Sequence, residues 1–223
     1  MNKPLAEVLR PESLNEYIGQ SHLVGEGAIL RSAIEKGDIP SMILWGPPGV
    51  GKTTLANIIA NTLSAPFYQL SAINSGVKEV REVIEKAKQS DNAILFVDEI
   101  HRFSKNQQDS LLGAVEQGIV RLIGATTENP SFEVISPLLS RCQVYVLKSL
   151  EKEDLLKIIE RATGYYKQTF GRNITVKEAE ALLRISGGDA RKLMNAIELV
   201  VAQFKGDCII DNEVVCSIIQ QNL

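Results

Sequence analysis

Two hydrophobic patterns alternate along the chain up to residue 147. Short, largely apolar runs that are typical of buried strands occur at residues 41–45, 67–70, 93–97, 119–125 and 144–147. Between these runs, apolar residues recur every three or four positions, as on one face of a helix, at residues 28–36, 55–63, 77–88 and 104–116. Strands that alternate with helices predict an α/β fold, in which a parallel five-stranded sheet is covered by helices on both faces.

The pattern changes after residue 148. Four amphipathic helices are predicted there, at residues 153–165, 176–185, 189–204 and 212–220, with no further strand of length. We therefore expect a domain boundary near Lys148. It would divide the chain into an α/β domain at residues 1–148 and a small all-helical domain at residues 149–223.

A glycine-rich loop joins the first predicted strand to the helix that follows it. Residues 46–53 match the phosphate-loop pattern G-x-x-x-x-G-K-[ST] in its required context between a strand and a helix. Glycines let the backbone N–H groups turn toward a phosphate, and the helix N-terminus adds positive potential there. A glycine-rich turn with a chance lysine is the alternative, but it does not explain why pattern and context agree. The residues expected to bind nucleotide are Pro47, Gly49, Val50, Gly51, Lys52, Thr53 and Thr54.

Two side chains of this loop have specific expected roles. Lys52 would reach the β- and γ-phosphates of ATP, and we expect its side chain to face solvent when no nucleotide is bound. Thr53 would offer its hydroxyl to Mg²⁺. ATP and Mg²⁺ are therefore the expected ligands.

Polar residues follow the third and fourth predicted strands. In a phosphate-loop enzyme Asp98 would lie near Mg²⁺, and Glu99 would orient and polarise the attacking water. Two solvated carboxylates at a strand end are the alternative, which the position downstream of a phosphate loop disfavours. Thr127 would sense the γ-phosphate or hold the water, or else serve only the turn. For His101, a satisfied structural histidine is favoured over a partner of the carboxylates.

Two arginines are further candidates. From its spacing alone, Arg141 is more simply a surface residue at a helix end than an arginine finger that stabilises developing charge. Arg191 lies near the start of a predicted helix, where the helix dipole disfavours a cation. Contact with a phosphate or a solvated helix face would each account for Arg191.

Composition narrows the class of protein. The chain has 223 residues, of which 44% are hydrophobic and 23% charged, as in ordinary globular proteins. Its net charge of −3 means that any contact with nucleic acid needs a local basic patch. The sequence has no membrane-spanning run and no secretory signal, and its three scattered cysteines form no disulfide or metal pattern. We therefore expect a cytoplasmic location and no membrane contact.

Together these motifs resemble the AAA+ ATPases of the clamp-loader branch, a class of P-loop NTPases. The resemblance rests on residues 46–53, 94–99, 124–127, 140–142 and 188–191. Residues 98–103 (DEIHRF) and 122–132 more closely resemble the replication-associated recombination protein A family, whose eukaryotic relative is the Werner-helicase-interacting ATPase. The resemblance implies a Mg²⁺-dependent, DNA-stimulated ATPase with a helical lid. It assigns sensor 1 to Thr127, a trans-acting arginine finger to Arg141 and sensor 2 to Arg191.

The resemblance also implies a base pocket, lined by Arg10, Pro11, Ile18 and Gly19. Ser71 would hold the catalytic glutamate away from water, and the helix N-termini at residues 74–78 and 104–106 would meet DNA, unless they are ordinary caps. Members of the family normally continue into a C-terminal oligomerisation domain. The sequence lacks that domain, so it is expected to be the AAA+ core alone.

The implied cellular role is ATP-driven remodelling of DNA at stalled replication forks. The expected partners are DNA ends or single-strand/double-strand junctions, replication-fork proteins such as single-stranded DNA-binding protein, and further copies of the chain. A clamp-loader-type subunit that uses ATP as a switch and a Holliday-junction branch-migration motor remain alternatives.

Overall fold

The computed structural model describes residues 3–72 and 75–219, which form two compact units. One unit is Pro11–Lys148, and the other joins the residues up to Arg10 to the segment that starts at Ser149. The unit changes between Lys148 and Ser149, where the sequence pattern also changes. The sequence predicts that the first residues belong to the α/β domain, but α1 (Leu5–Val8) belongs to the second unit. There Leu5 is buried, and its backbone N–H donates to Glu198 Oε2 at 3.1 Å.

The unit formed by Pro11–Lys148 is built around a parallel sheet. Its strands lie side by side in the order β2-β3-β4-β1-β5, which confirms the predicted five-stranded sheet. The strands are β1 (Met42–Trp45), β2 (Phe67–Ser71), β3 (Ala93–Asp98), β4 (Val120–Thr126) and β5 (Gln143–Val146).

Helices cover both faces of this sheet. Successive residues of β3 point to opposite sides, so Ile94 and Phe96 join one apolar cluster and Leu95 and Val97 join the other. The helices are α2 (Ser21–Val24), α3 (Ile29–Lys36), α4 (Lys52–Thr62), α5 (Val77–Ala87), α6 (Lys105–Glu116), α7 (Pro130–Glu133) and α8 (Ser136–Leu139). A 3₁₀ turn at Ile100–Arg102 follows β3.

The strand order brings the candidate residues to one edge. Because all five strands are parallel, the residues that follow them lie at the same edge of the sheet. The strand β4 lies between β1 and β3, and Trp45 at the end of β1 is level with Thr126 at the end of β4. The glycine-rich loop, the acidic pair and Thr127 therefore lie close together, at the ends of the adjacent strands β1, β3 and β4.

The second unit is mostly helical but contains two short strands. Its elements are α9 (Lys152–Phe170), β6 (Ile174–Val176), α10 (Glu180–Ser186), α11 (Ala190–Ala202), β7 (Cys208–Ile210) and α12 (Asn212–Ile218). The strands β6 and β7 pair in parallel, with Ile174 opposite Cys208. The expectation of an entirely helical domain needs this correction, because three residues are too few for a strand periodicity to be visible. Within the described ranges, no helix is long and apolar enough to cross a bilayer.

Candidate active site

The glycine-rich loop follows β1 and needs its glycines. Gly49 and Gly51 have φ angles of +69° and +98°, a region that side chains rarely adopt. Gly46 is needed because of close approach, since a Cβ there would lie 2.4 Å from the carbonyl oxygen of Leu147. The Gly46 N–H donates to the Thr126 carbonyl at 3.1 Å, which joins the start of the loop to the end of β4.

Lys52 begins α4 and is folded back over the loop. Its Nζ donates to the carbonyl oxygens of Gly46 and Pro47, each at 2.7 Å, and only 8% of the residue is exposed. The expectation that Lys52 faces solvent is therefore wrong, because a buried ammonium needs hydrogen-bond acceptors and the loop carbonyls supply them. A phosphate in the loop would compete with these carbonyls for the three ammonium donors.

Tyr17 supports the loop from the N-terminal segment, a role that the sequence did not suggest. Its hydroxyl lies 3.2 Å from the carbonyl oxygens of both Val50 and Gly51, and can donate to either. Burial raises the pKa of the Tyr17 phenol far above its ordinary value, so it stays a donor at neutral pH. A Cβ on Gly51 would lie 2.6 Å from this hydroxyl. The phenol therefore limits the loop to glycine at that position.

The segment predicted to line the base pocket is fixed beside β5. The buried Gln20 donates from Nε2 to the Lys148 carbonyl at 2.7 Å and accepts from the Lys148 N–H at 2.9 Å. Ile18 and Gly19 lie between this anchor and Tyr17, and Pro11 belongs to the same unit. Arg10 belongs to the other unit, where it pairs with Glu7 at 2.6 Å, so its contact with a base stays a prediction.

Asp98 and Thr53 supply oxygen atoms that suit Mg²⁺. Asp98 ends β3, is half-buried, and its carboxylate has no hydrogen-bond or ion-pair partner among the described residues. Thr53 is the second residue of α4 and is also half-buried. Mg²⁺ is usually held by one or two protein oxygens together with water and substrate phosphates. The residues present therefore fit the ion.

Glu99 has an unusual backbone and two nearby partners. Its φ and ψ are +56° and +44°, a left-handed conformation that costs a non-glycine residue about 1–3 kcal/mol. Its Oε2 lies 3.3 Å from Nε2 of His101 and 3.6 Å from Nε of Arg102. The family resemblance predicts that Ser71 holds this glutamate, but Ser71 makes no hydrogen bond to Glu99 within the part that the structure describes. The 3₁₀ turn after β3 brings His101 and Arg102 to the carboxylate instead.

His101 also contacts the end of β4. Its Nδ1 lies 3.0 Å from Oγ1 of Thr126, a fully buried residue whose hydroxyl also accepts from the Glu128 N–H at 3.0 Å. The sequence favours a structural role for His101, and it assigns no role to Thr126, although residues 124–127 carry part of the family resemblance. Thr127, the predicted sensor, follows Thr126 and is half-exposed, so its contact with a γ-phosphate stays a prediction.

The two candidate arginines lie in different units. Arg141 follows α8, donates from Nη1 to the Pro137 carbonyl at 2.7 Å and pairs with Glu116 at 2.5 Å. Arg191 is the second residue of α11, and Asp189 caps this helix by accepting from its backbone N–H at 2.8 Å. Because Arg191 lies in the other unit, its approach to a nucleotide stays a prediction.

Comparison with known proteins identifies the family. A profile of the ATPase family associated with various cellular activities (AAA) matches residues 42–150. Replication-associated recombination protein A of Haemophilus influenzae is 51% identical, over 89% of this chain and 46% of its own length. The namesake in Coxiella burnetii is 45% identical, over 99% of this chain and 52% of its own length.

A solved structure shows the same fold. The RuvB Holliday junction branch migration motor of Thermotoga maritima superposes with a TM-score of 0.77 at 29% identity, over 95% of this chain and 72% of that one. The chain spans about half the length of the curated relatives it matches. It belongs to the AAA family of ATPases and, within that family, to the replication-associated recombination protein A group.

Proposed function

We propose that this chain is the ATP-hydrolysing core of a protein that acts on DNA at stalled replication forks, in the cytoplasm. The observation that carries the proposal is the convergence of the phosphate loop, the Asp98-Glu99 pair and the end of β4 at one edge of the sheet. The printed name of the relatives, replication-associated recombination protein A, supports the cellular role.

The loop and the acidic pair divide the chemistry between them. Backbone N–H groups of the loop and Lys52 bind the β- and γ-phosphates of ATP. Thr53 and Asp98 would hold Mg²⁺, and the bound ion would neutralise charge on the phosphates. Glu99 orients a water molecule and accepts its proton as the water oxygen bonds to the γ-phosphorus. The bond between that phosphorus and the bridging oxygen breaks, and ADP and inorganic phosphate are the products.

A neighbouring copy of the chain completes the site in this proposal. Arg141 is 42% exposed, and its guanidinium binds Glu116 and the Pro137 carbonyl of its own chain. An exposed pair of this kind contributes little to stability, so a γ-phosphate of a neighbour could replace Glu116 at small cost. Arg191 would approach the nucleotide of its own chain as the second sensor.

DNA would bind beside the N-termini of α5 and α6. Gln107 of α6 donates from Nε2 to the Ser75 carbonyl at 2.6 Å, which holds the two helix starts side by side. Two exposed cations, Lys78 and Lys105, flank these starts. The side chains of Glu79 and Ser104 cap the helices. Because these caps occupy N–H groups at the helix starts, the two lysines are the simpler ligands for DNA phosphates than the backbone. Residue 74 of the predicted DNA contact lies outside the described residues.

Turnover with different DNA structures tests this role. We expect ATP hydrolysis by the chain to rise with DNA ends or single-strand/double-strand junctions, and Lys52→Ala to abolish it. The double substitution Lys78→Ala and Lys105→Ala should remove the stimulation and leave the basal rate unchanged. Lys86→Ala is the matched control, since Lys86 is an exposed lysine in the last turn of α5. Equal rates with and without every DNA would contradict the proposal.

Two other functions would give different results. The likeness to the RuvB motor favours branch migration as the second candidate, and it predicts that four-way junctions stimulate best. A clamp-loader-type switch would turn over slowly and respond to a sliding clamp.

Single-stranded DNA-binding protein is the proposed fork partner, and its addition to a forked DNA should raise turnover further.

A further inference from the structure

The His101 imidazole bridges two strand ends of the candidate site. On one side Nε2 is 3.3 Å from the Glu99 carboxylate, and on the other Nδ1 is 3.0 Å from the Thr126 hydroxyl. The side chain of His101 is 12% exposed. In comparison, the Arg102 guanidinium is 3.6 Å from the same carboxylate oxygen and its side chain is 57% exposed. His101 is therefore the closer and better shielded partner of Glu99.

The Glu99 carboxylate favours an imidazole that presents a donor to it. The Thr126 hydroxyl accepts from the Glu128 N–H, and it can donate its own proton either to the Glu128 carbonyl at 3.2 Å or to Nδ1 of His101 at 3.0 Å. When the hydroxyl donates to Nδ1, the imidazole carries its proton on Nε2 and presents an N–H to the carboxylate. The opposite tautomer would set the Nε2 lone pair against a carboxylate oxygen, which is repulsive. The contacts thus connect Glu128, Thr126, His101 and Glu99 in one continuous series.

Thr126 also connects this chain to the phosphate loop. Its carbonyl accepts the Gly46 N–H at 3.1 Å, and the Gly46 carbonyl accepts from Nζ of Lys52 at 2.7 Å. Thr126 is fully buried at the end of β4, so its position is fixed by the sheet. A shift of the loop or of the β4 end would therefore move Thr126, and through Thr126 and the His101 imidazole it would change the position of the Glu99 carboxylate.

We infer that His101 is a positioning residue for ATP hydrolysis, which holds the Glu99 carboxylate in register with the β4 end and the phosphate loop. The inference rests on the proposed role of Glu99. His101 does not touch the nucleotide in this account. It acts through Glu99, whose left-handed backbone leaves the carboxylate close to the turn that carries the imidazole.

Two amide substitutions separate the halves of the bridge. In His101→Gln the side-chain amide can reach the place of Nε2 and donate to Glu99. In His101→Asn it can reach only the place of Nδ1 and bond to Thr126. We expect His101→Ala and His101→Asn to lower kcat by about 10- to 100-fold, the scale expected for a misplaced catalytic group, with little change in ATP affinity. His101→Gln should recover most of the lost rate.

A double-mutant cycle tests whether His101 acts through Glu99. We expect His101→Ala to change the residual turnover of a Glu99→Gln background by less than about 2-fold, since the two residues act as one unit. The control is His22→Ala, because His22 is the other histidine of the chain and its ring hydrogen-bonds to the Val146 carbonyl, away from Glu99 and Thr126. Its kcat should match the parent.

Three results would overturn the inference. They are equal rates for His101→Gln and His101→Asn, a full His101→Ala effect in the Glu99→Gln background, or a loss of rate that follows a loss of thermal stability. Should His101→Ala fail to fold, the Gln and Asn variants decide by themselves. If Glu99→Gln alone hydrolyses ATP at the parental rate, the proposed function fails first. That outcome is distinct from a failure of His101 alone.

Discussion

At the scale of single residues, the phosphate loop is held from outside by one phenol. The Tyr17 hydroxyl reaches the carbonyls of Val50 and Gly51, and it would collide with any side chain at Gly51. The loop is therefore shaped by the N-terminal segment as well as by its own glycines. This segment is also the one predicted to line the base pocket, so loop geometry and base binding depend on the same few residues.

Tyr17→Phe tests this support. The variant keeps the ring but loses a partly buried hydrogen bond, so we expect thermal unfolding to report a loss of about 1 kcal/mol. Titration with a fluorescent ATP analogue should show weaker binding, because the loop is less well ordered. The control is Tyr68→Phe, whose hydroxyl is exposed and lies 3.5 Å from the Lys86 carbonyl. If both variants behave alike, Tyr17 does not support the loop.

The site residues differ in how far the sequence could reveal them. Lys52, Asp98 and Glu99 belong to spaced motifs, and these motifs reflect a chemistry that fixes residue types. Tyr17, Thr126 and the bridging role of His101 depend on contacts between segments that are distant in sequence, for which no local pattern exists. The motif identifies the lysine but not the acceptors around it, so the sequence does not predict that Lys52 binds the carbonyls of the loop.

At the scale of elements, the strands of the five-stranded sheet were predicted, and the two three-residue strands of the second unit were not. The strand β3 is apolar up to Asp98, and β4 is apolar apart from Arg121 and Thr126, so each was visible as a run. The strands β6 and β7 have three residues each, which is too short for a period to be visible. Side-chain contacts hold their ends together. Asp207, just before β7, accepts from both the backbone N–H and Nδ2 of Asn173, just before β6.

This contact makes the small sheet sensitive to acid. Hydrogen bonds from the backbone and then the side chain of Asn173 lower the pKa of the Asp207 carboxyl. A carboxyl with a lowered folded-state pKa stabilises the fold above its unfolded-state pKa, about 3.9, and this contribution is lost as pH falls through the lower value. Asp207→Asn should therefore lower the Tm near pH 7, and the difference from the parent should shrink as pH falls below about 4.

Thermal unfolding at a series of pH values measures this difference. Asp109→Asn is the control, because Asp109 is exposed on α6 and makes no hydrogen bond or ion pair within the described ranges. A difference for Asp207→Asn that persists unchanged at low pH would show that the charge is not what stabilises the contact.

At the scale of the whole molecule, alternation of strands and helices was enough to predict the sheet. The strand order places β4 between β1 and β3 and so assembles the site from three segments that are far apart in sequence. The grouping of α1 with the second unit was not predictable, since it rests on the packing of α1 against α11, which includes the buried Leu5 and its hydrogen bond to Glu198. Short amphipathic pieces of this kind carry no signal for their partner.

The proposed trans role of Arg141 belongs to this scale. In an assembled protein Arg141→Ala should lower turnover by at least about 10²-fold, while ATP affinity changes little. Mixing Arg141→Ala with Lys52→Ala chains should restore part of the activity, since one supplies an intact nucleotide site and the other an intact finger. The inactive control is a mixture of Lys52→Ala chains with chains that carry both Arg141→Ala and Lys52→Ala. No recovery under conditions in which the chains associate would refute the trans role, as would a slower rate for Arg141→Ala in a strict monomer.

The claim that this edge of the sheet hydrolyses ATP is tested most directly by Glu99→Gln. The amide cannot accept a proton from water, so this variant should bind a fluorescent ATP analogue as the parent does and form almost no ADP in a single turnover. Lys52→Ala, measured beside it with its fold checked by circular dichroism, should lose binding as well as hydrolysis. Hydrolysis by Glu99→Gln at the parental rate would contradict the account.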